Sequence, residues 1–158
     1  MAEFIAIILC GFRREWLQSF QLIVQAYSSP ERYHHNLQHI YQVIATIHRL
    51  QNYTHNLAAV KLAAWLHDVV YDTRAKDNEE CSAEYARALL GELGIPGNTI
   101  NMVARLILDT KHDRSYIEDI DTQVLLDADL AILGTTPEKY QQYARAIRQE
   151  YSWVAQKD

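Results

Sequence analysis

The spacing of apolar residues is the feature that most constrains the fold of this chain. Apolar side chains recur three and four residues apart through most of the sequence, which is the period of one face of an α-helix. Two stretches show the pattern clearly: Trp16, Phe20, Ile23 and Val24, and then Ile40, Val43, Ile44 and Ile47. Strand-like alternation of apolar and polar residues does not persist anywhere. The sequence therefore predicts an all-α protein.

Helix-breaking residues divide this pattern into segments. Breaks occur at Ser28 to Pro30, at Gly94 to Gly97 and at Gly134 to Pro137, where Gly, Pro and Ser or Thr cluster. About six or seven helices are expected in one compact bundle. They are predicted near residues 12–27, 36–51, 56–70, 78–93, 98–111, 122–133 and 136–155.

Length and composition are typical of one globular domain over residues 1–158. About half of the residues are apolar (49%) and 22% are charged, as in ordinary soluble domains. The formal net charge is -5. Because binding to a nucleic-acid backbone needs clustered Lys and Arg, we do not expect nucleic acid as a partner.

The N-terminal segment and the cysteines favour a cytoplasmic protein. The apolar run from Phe4 to Phe12 has no basic flank or cleavage site and is too short to cross a bilayer, so no membrane is expected as a partner. Residues 1–11 are expected to start a buried helix or to form a loosely packed leader. Cys10 and Cys81 match no metal or redox spacing, which predicts reduced thiols.

Titratable residues inside apolar runs are the main indication of function. The segment KLAAWLHD ends an apolar helix with His67 and Asp68, two groups that are costly to bury unpaired. His39 begins another apolar helix, and Asp129 lies in the apolar run LLDADLAIL. A shared cation would offset the free-energy cost of burying these groups. A buried cluster satisfied by hydrogen bonds alone is the alternative.

Asp127 and Asp129 are alternative candidates for the fourth metal ligand. Asp127 and Asp129 lie two residues apart on one predicted helix, so they face nearly opposite directions and only one can point at the ion. Two imidazoles and two carboxylates suit one divalent ion (Mn, Mg, Fe, Co or Ni), with water completing an octahedral shell.

Four segments occur in a characteristic order. They are the R-x-x-H-x-L-x-H-like residues Arg32 to His39, WLHDVVYD at Trp65 to Asp72, DNEECSA at Asp77 to Ala83, and LLDADLAILG at Leu125 to Gly134. This order resembles the HD superfamily of metal-dependent phosphohydrolases. The sequence is most similar to the small, predicted phosphohydrolase branch, and the similarity covers residues 27–154.

The resemblance implies an HD-type fold and a reaction. His39, His67, Asp68 and Asp129 correspond to the family's ligands for one divalent ion, and the Ala-Asp-Leu alignment favours Asp129 over Asp127. The implied activity is hydrolysis of a small phosphate ester by metal-activated water, with a nucleotide among the candidate substrates and a monoester expected ahead of a diester. A homodimer is compatible with the family pattern.

Two features depart from that pattern, and other functions stay open. His34 stands where the branch carries Tyr, and relatives continue beyond the position of Asp158, which bears on dimer packing and on one pocket wall. A non-catalytic metal- or nucleotide-binding module of the same fold is the alternative function. A helical interaction domain without metal is a third.

Acidic residues after the His-Asp pair are candidates for catalysis. Glu79 lies in the Asp-Asn-Glu stretch of the branch signature and is predicted to act as general acid or base, with Asp72 as a weaker candidate. Asp68 is predicted to be both a metal ligand and a catalytic residue. An ordinary helix N-terminus, where carboxylates are favoured, is the alternative for Glu79.

Four basic residues are candidates for substrate binding: Arg32, His35, Lys111 and His112. The guanidinium of Arg32 is predicted to donate hydrogen bonds to a phosphate oxygen, and a surface salt bridge is the alternative. His35 precedes His39 by four residues and shares its face if the helix has begun there. His112 follows Lys111 at the end of a helix, where the helix dipole also favours a histidine.

The remaining charged residues are interpreted as solvent-exposed. His34, His48 and His55 are expected on the surface. Arg145, Arg148 and Glu150 are expected to form a solvated charged face of the last helix.

Overall fold

A computed structural model describes residues 14–111 and 118–155. These residues form seven α-helices and two 3₁₀ helices, and they contain no strand, which confirms the predicted all-α class. The α-helices are α1 (Arg14–Tyr27), α2 (Leu37–Leu50), α3 (Leu57–Leu66), α4 (Asn78–Glu92), α5 (Gly97–Asp109), α6 (Ile120–Asp129) and α7 (Pro137–Glu150). The 3₁₀ helices are Gln51–Tyr53 and Leu130–Gly134.

Short polar side chains fix the starts of three helices. Asn36 precedes α2 and accepts hydrogen bonds from the backbone amides of Gln38 and His39. Asn56 accepts from the amide of Ala59 at the start of α3, and Asp119 accepts from the amide of Thr122 in α6. These caps satisfy amides that a helix leaves unpaired in its first turn.

Two helix ends differ from the prediction. Helix α3 ends at Leu66 and does not reach residue 70, because the chain turns there and the guanidinium of Arg32 takes the carbonyls of Asp68 and Val69. Helix α6 ends at Asp129 and tightens into the 3₁₀ helix Leu130–Gly134. His67 and Asp68 therefore lie just beyond the end of α3, and His67 still has the backbone angles of a helix (φ −63°, ψ −35°).

Helix α3 lies at the centre of the core. It packs against α2, α5 and α6, and Ala59, Val60, Ala63 and Ala64 are fully buried along it. Small side chains let the neighbouring helices approach α3 closely. This packing brings the start of α2, the end of α3 and the end of α6 to one region of the molecule.

None of the described helices combines the length and the apolar character that crossing a bilayer needs. Residues 1–11, which were predicted to form a buried helix or a leader, lie outside the described residues, as does Cys10. Cys81 is an exposed free thiol.

Candidate metal centre

His39 is delivered by the first turn of α2. It is the third residue of that helix, and the Asn36 cap fixes the backbone at this point. The side chain is only 4% exposed. Its Nε2 atom lies 3.0 Å from Oδ1 of Asp129 and 3.9 Å from Oδ2 of Asp68.

His67 presents the same atom from the end of α3. Its Nδ1 lies 2.9 Å from the carbonyl oxygen of Ala64. Since a carbonyl only accepts, Nδ1 carries a proton, and Nε2 is the atom turned toward the acids. Nε2 of His67 lies 3.2 Å from Oδ2 of Asp68 and 3.4 Å from Oδ1 of Asp129.

Asp129 is the carboxylate that α6 contributes. The ligand atoms of His39, His67 and Asp129 lie within 4.8 Å of one another. Asp127 is exposed and lies outside this group. The preference for Asp129 over Asp127 therefore agrees with the geometry, and Asp68 joins the cluster through its contacts with both histidines.

The arrangement fits a divalent ion. Ligand atoms about 2.1 Å from one ion and at right angles to each other are about 3 Å apart, close to the nitrogen–oxygen distances of 3.0 to 3.4 Å. The two Nε2 atoms are buried and have no hydrogen bond of good geometry among the described residues. Buried nitrogen atoms of this kind need a partner, and an ion between the four side chains would supply it.

Burial and neighbouring charges shift the pKa values of the side chains in the cluster. Burial alone would raise the pKa of Asp68, but the charge of the neighbouring His67 holds that pKa well below its usual range. The same balance between burial and the two histidines lowers the pKa of Asp129. Burial opposes a charge on His67, yet the carboxylates raise its pKa. Both acids are therefore ionised, and a divalent ion would take the place of the proton that the raised pKa favours on His67.

Arg32 supports the cluster through the backbone. Its guanidinium donates to the carbonyls of Asp68 at 2.6 Å, Val69 at 3.0 Å and His35 at 3.3 Å. The group also lies over the rings of Tyr27 and Tyr71. The guanidinium is thus engaged in holding the turn after α3, and Arg32 does not line the cavity beside the cluster. The predicted contact of Arg32 with a phosphate stays a prediction, and the guanidinium would have to exchange these carbonyls for the phosphate.

A cavity of about 550 Å³ opens beside the cluster. Its walls include three of the four proposed ligands together with groups from other elements: His35, His67, Asp68, Glu79, Lys111 and Asp129. Glu79 is half-buried in the first turn of α4. Lys111 donates to the carbonyl of Lys76 and pairs with Glu80. Glu79, His35 and Lys111 therefore line the same cavity as the cluster, and their roles in catalysis and substrate binding stay predictions.

Asp72 and His112 are not among these groups. Asp72 is exposed, and its carboxylate accepts from the amide of Arg74 in the loop before α4. It lines a second cavity and not the one beside the cluster, and its catalytic role stays a prediction. His112 lies outside the described residues.

The last helix contains a functional candidate that sequence reasoning missed. Glu150 was predicted to be solvated, but its side chain is fully buried and its Oε2 lies 2.6 Å from Nδ1 of His35. The interpretation failed because Glu150 follows a run of exposed polar residues, and only the tertiary fold turns the end of α7 inward. Arg145 and Arg148 are exposed, as are His48 and His55.

His34 was also wrongly expected on the surface. Its ring is half-buried and packs against the rings of His35, His39 and Tyr143. Burial and the neighbouring histidines lower the pKa of His34 to about 4, so the ring is neutral at pH 7. A neutral aromatic ring fits this position, which is the one where the resemblance expects Tyr.

These features define an all-helical protein with two buried histidines and two half-buried carboxylates clustered at the edge of a cavity. No family model, curated protein or solved structure matches the chain.

Proposed function

We propose that the protein is a metal-dependent phosphohydrolase of the HD type that cleaves a small phosphate ester. The observation that carries the proposal is the convergence of His39, His67, Asp68 and Asp129 beside an open cavity. Two imidazoles and two carboxylates suit Mn, Mg, Fe, Co or Ni. When bound, such an ion supplies Lewis-acid polarisation of a phosphoryl oxygen and acidifies water.

The open cavity supports catalysis over a purely structural ion. A structural site closes its coordination shell with protein atoms, whereas a catalytic site keeps a position for water or substrate. His67, Asp68 and Asp129 all line the cavity, so a phosphate group in it would reach the ion. This feature supports an enzyme ahead of a non-catalytic binding module of the same fold.

Other cavity residues have roles that fit a phosphate ester. Glu79 would orient the attacking water or accept its proton. Lys111 would offset phosphate charge, in exchange for part of its pairing with Glu80. The rings of Tyr143 and Tyr151 also line the cavity. Aromatic rings offer a stacking surface for a base, which supports a nucleotide as the substrate.

A matched pair of variants on one helix tests this proposal. Protein loaded separately with Mn, Mg, Fe, Co or Ni is assayed for phosphate release from nucleoside monophosphates, sugar phosphates and one phosphodiester. We expect Asp129→Asn to lose metal binding and at least about 100-fold in kcat/KM, since a ligand and its charge are removed. Asp127→Asn, two residues away and exposed, is the control and should keep both.

The outcomes separate the candidate functions. Metal binding that depends on Asp129, without release from any ester, would identify the non-catalytic module. Equal release by the Asp129→Asn variant and its parent would show that the cluster is not the active site.

A further inference from the structure

One face of the last helix lines the cavity beside the cluster. Tyr143 and Ile147 of α7, and Tyr151 directly after it, are spaced four residues apart and all lie on the cavity wall. Side chains at this spacing lie one above the other on one side of a helix. All three are half-buried, whereas Gln141 and Arg145 on the same helix are exposed. We call these three side chains, two aromatic rings and one branched aliphatic group, the α7 stripe.

Contacts with other segments hold the α7 stripe at both of its ends. The ring of Tyr143 packs against the ring of His34 with centroids 4.6 Å apart. The hydroxyl oxygen of Tyr151 lies 3.1 Å from that of Tyr71. Next to Tyr151, the carboxylate of Glu150 accepts from the backbone amide of His34 at 2.6 Å. The stripe is therefore an anchored part of the cavity wall.

Most of the remaining wall of this cavity is polar. It includes the proposed metal ligands His67, Asp68 and Asp129, together with Glu79 and Lys111. The volume of about 550 Å³ lies in the range of about 300–1,000 Å³ that is usual for one small molecule. An ion and a lysine suit a phosphate group, whereas the stripe gains free energy by covering its apolar surface. A molecule that satisfies both parts of the wall therefore carries a charged end and an apolar end.

We propose that the α7 stripe, with Ile147 at its centre, determines specificity by binding the alcohol portion of a phosphate ester, and that this portion carries an aromatic ring. The inference rests on the proposed function and restricts its substrate to one class of esters, which includes nucleotides. Two tyrosine rings favour an aromatic partner over an aliphatic one, because aromatic pairs gain free energy beyond the area that they bury. Phosphate esters of glycerol and of simple sugars lack such a ring.

Two phosphonates with different organic groups test the specificity of the stripe. Benzylphosphonate carries an aromatic ring and 2,3-dihydroxypropylphosphonate carries hydroxyls, and neither can be hydrolysed, so calorimetry measures binding without turnover. The parent is loaded with whichever of Mn, Mg, Fe, Co and Ni it binds most tightly, and we expect it to bind benzylphosphonate more tightly. Ile147→Ala should weaken benzylphosphonate about 10-fold, because it removes apolar contacts in a pocket. Its affinity for the dihydroxypropyl compound should not change.

Matched variants separate specificity from general damage to the site. Ile147→Leu conserves the apolar volume and should keep the preference for benzylphosphonate. Gln141→Ala, exposed on α7 and outside the cavity wall, should match the parent with both compounds. Metal titration of Ile147→Ala should give the affinity of the parent, since Ile147 is not a proposed ligand. Circular dichroism and urea unfolding establish that each variant is folded.

The results distinguish this inference from the proposed function. A parent that does not prefer benzylphosphonate, or an equal loss of both compounds in folded Ile147→Ala, would overturn the specificity role of the stripe. If the preference depends on Ile147 but the parent hydrolyses neither benzyl phosphate nor adenosine monophosphate, the ligand class is supported and the enzymatic function fails. If the parent hydrolyses glycerol 3-phosphate as efficiently as benzyl phosphate, the enzymatic function stands and the inference fails.

Discussion

At the scale of single residues, the orientation of two histidine rings depends on a backbone carbonyl and a carboxylate that lie against their Nδ1 atoms. Ala64 holds Nδ1 of His67, and Glu150 holds Nδ1 of His35. Each contact leaves Nε2 as the nitrogen turned to the site. Partners of this kind fix both the ring orientation and the tautomer of a histidine. The chemistry of the cluster is therefore set by atoms that do not belong to the ligand groups themselves.

The lowered pKa of Glu150 gives a prediction about stability and pH. A carboxyl with a lower pKa in the folded state than in the unfolded state stabilises the fold above its unfolded pKa, and this contribution is lost as pH falls through the folded value. We expect Glu150→Gln to lower the free energy of unfolding near pH 7 by about 1–3 kcal/mol. The difference between variant and parent should shrink toward pH 3.

Urea unfolding followed by circular dichroism between pH 3 and 8 provides the measurement. Glu92→Gln, an exposed exchange, should track the parent at every pH. A constant difference between Glu150→Gln and the parent over this range would contradict the linkage.

The sequence predicted some of these residues and not others for a physical reason. His67 and Asp129 were recognisable because each is a titratable group within an apolar helical run, which is costly without a partner. Glu150 gave no such signal, since its neighbours Arg148 and Gln149 are exposed. Its burial arises from contacts with residues more than a hundred positions away, and no local pattern records a contact of that kind.

At the scale of elements, helix termini build the site. His39 lies in the first turn of α2, while His67 follows α3 and Asp129 ends α6. The helices themselves were predictable from apolar spacing and from breaks such as Gly94, which adopts a positive φ of 74° and ends α4 as glycine commonly does. The end of α3 was not predictable from these local patterns, because the turn after it is held by hydrogen bonds from Arg32, which is distant in the chain.

Arg32 connects the segment before α2 to the turn after α3, and this connection can be tested. Arg32→Lys keeps the charge but cannot donate to carbonyls from two nitrogen atoms. We expect a loss of about 1–3 kcal/mol in the free energy of unfolding and weaker metal binding, since the backbone of Asp68 is released. The measurements are urea unfolding and metal titration by calorimetry.

Arg49→Lys is the control for this exchange. Arg49 is exposed, and among the described residues its guanidinium donates to Thr46 within α2. We expect no change in stability or in metal affinity. An effect of Arg32→Lys on stability that equals that of Arg49→Lys would contradict a role for Arg32 in holding the turn.

At the scale of the whole molecule, the cluster couples helices that are distant in the chain. The proposed ligands come from α2, the end of α3 and α6, and the helices around α3 share one apolar core. An ion that binds only the folded form stabilises it by mass action. Removing the ion should therefore affect the entire fold and not only the cavity.

Chelation tests this coupling. We expect EDTA to lower the melting temperature of the metal-loaded parent, because an ion present at about 100 times its Kd stabilises by about 2.7 kcal/mol. Differential scanning calorimetry with and without EDTA gives the shift. Asp127→Asn should shift like the parent, whereas Asp129→Asn should not shift. An unchanged melting temperature in the parent would argue against a folded-state metal site.

The position of the ligands along the chain has one more consequence. An ion held between α2, α3 and α6 closes two long loops, as a crosslink would, and a closed loop restricts the freedom of partly opened states. Helix α6 then cannot detach from the core while the ion keeps all of its ligands. Opening of this helix, and exchange of its amide hydrogens with solvent, becomes tied to release of the metal.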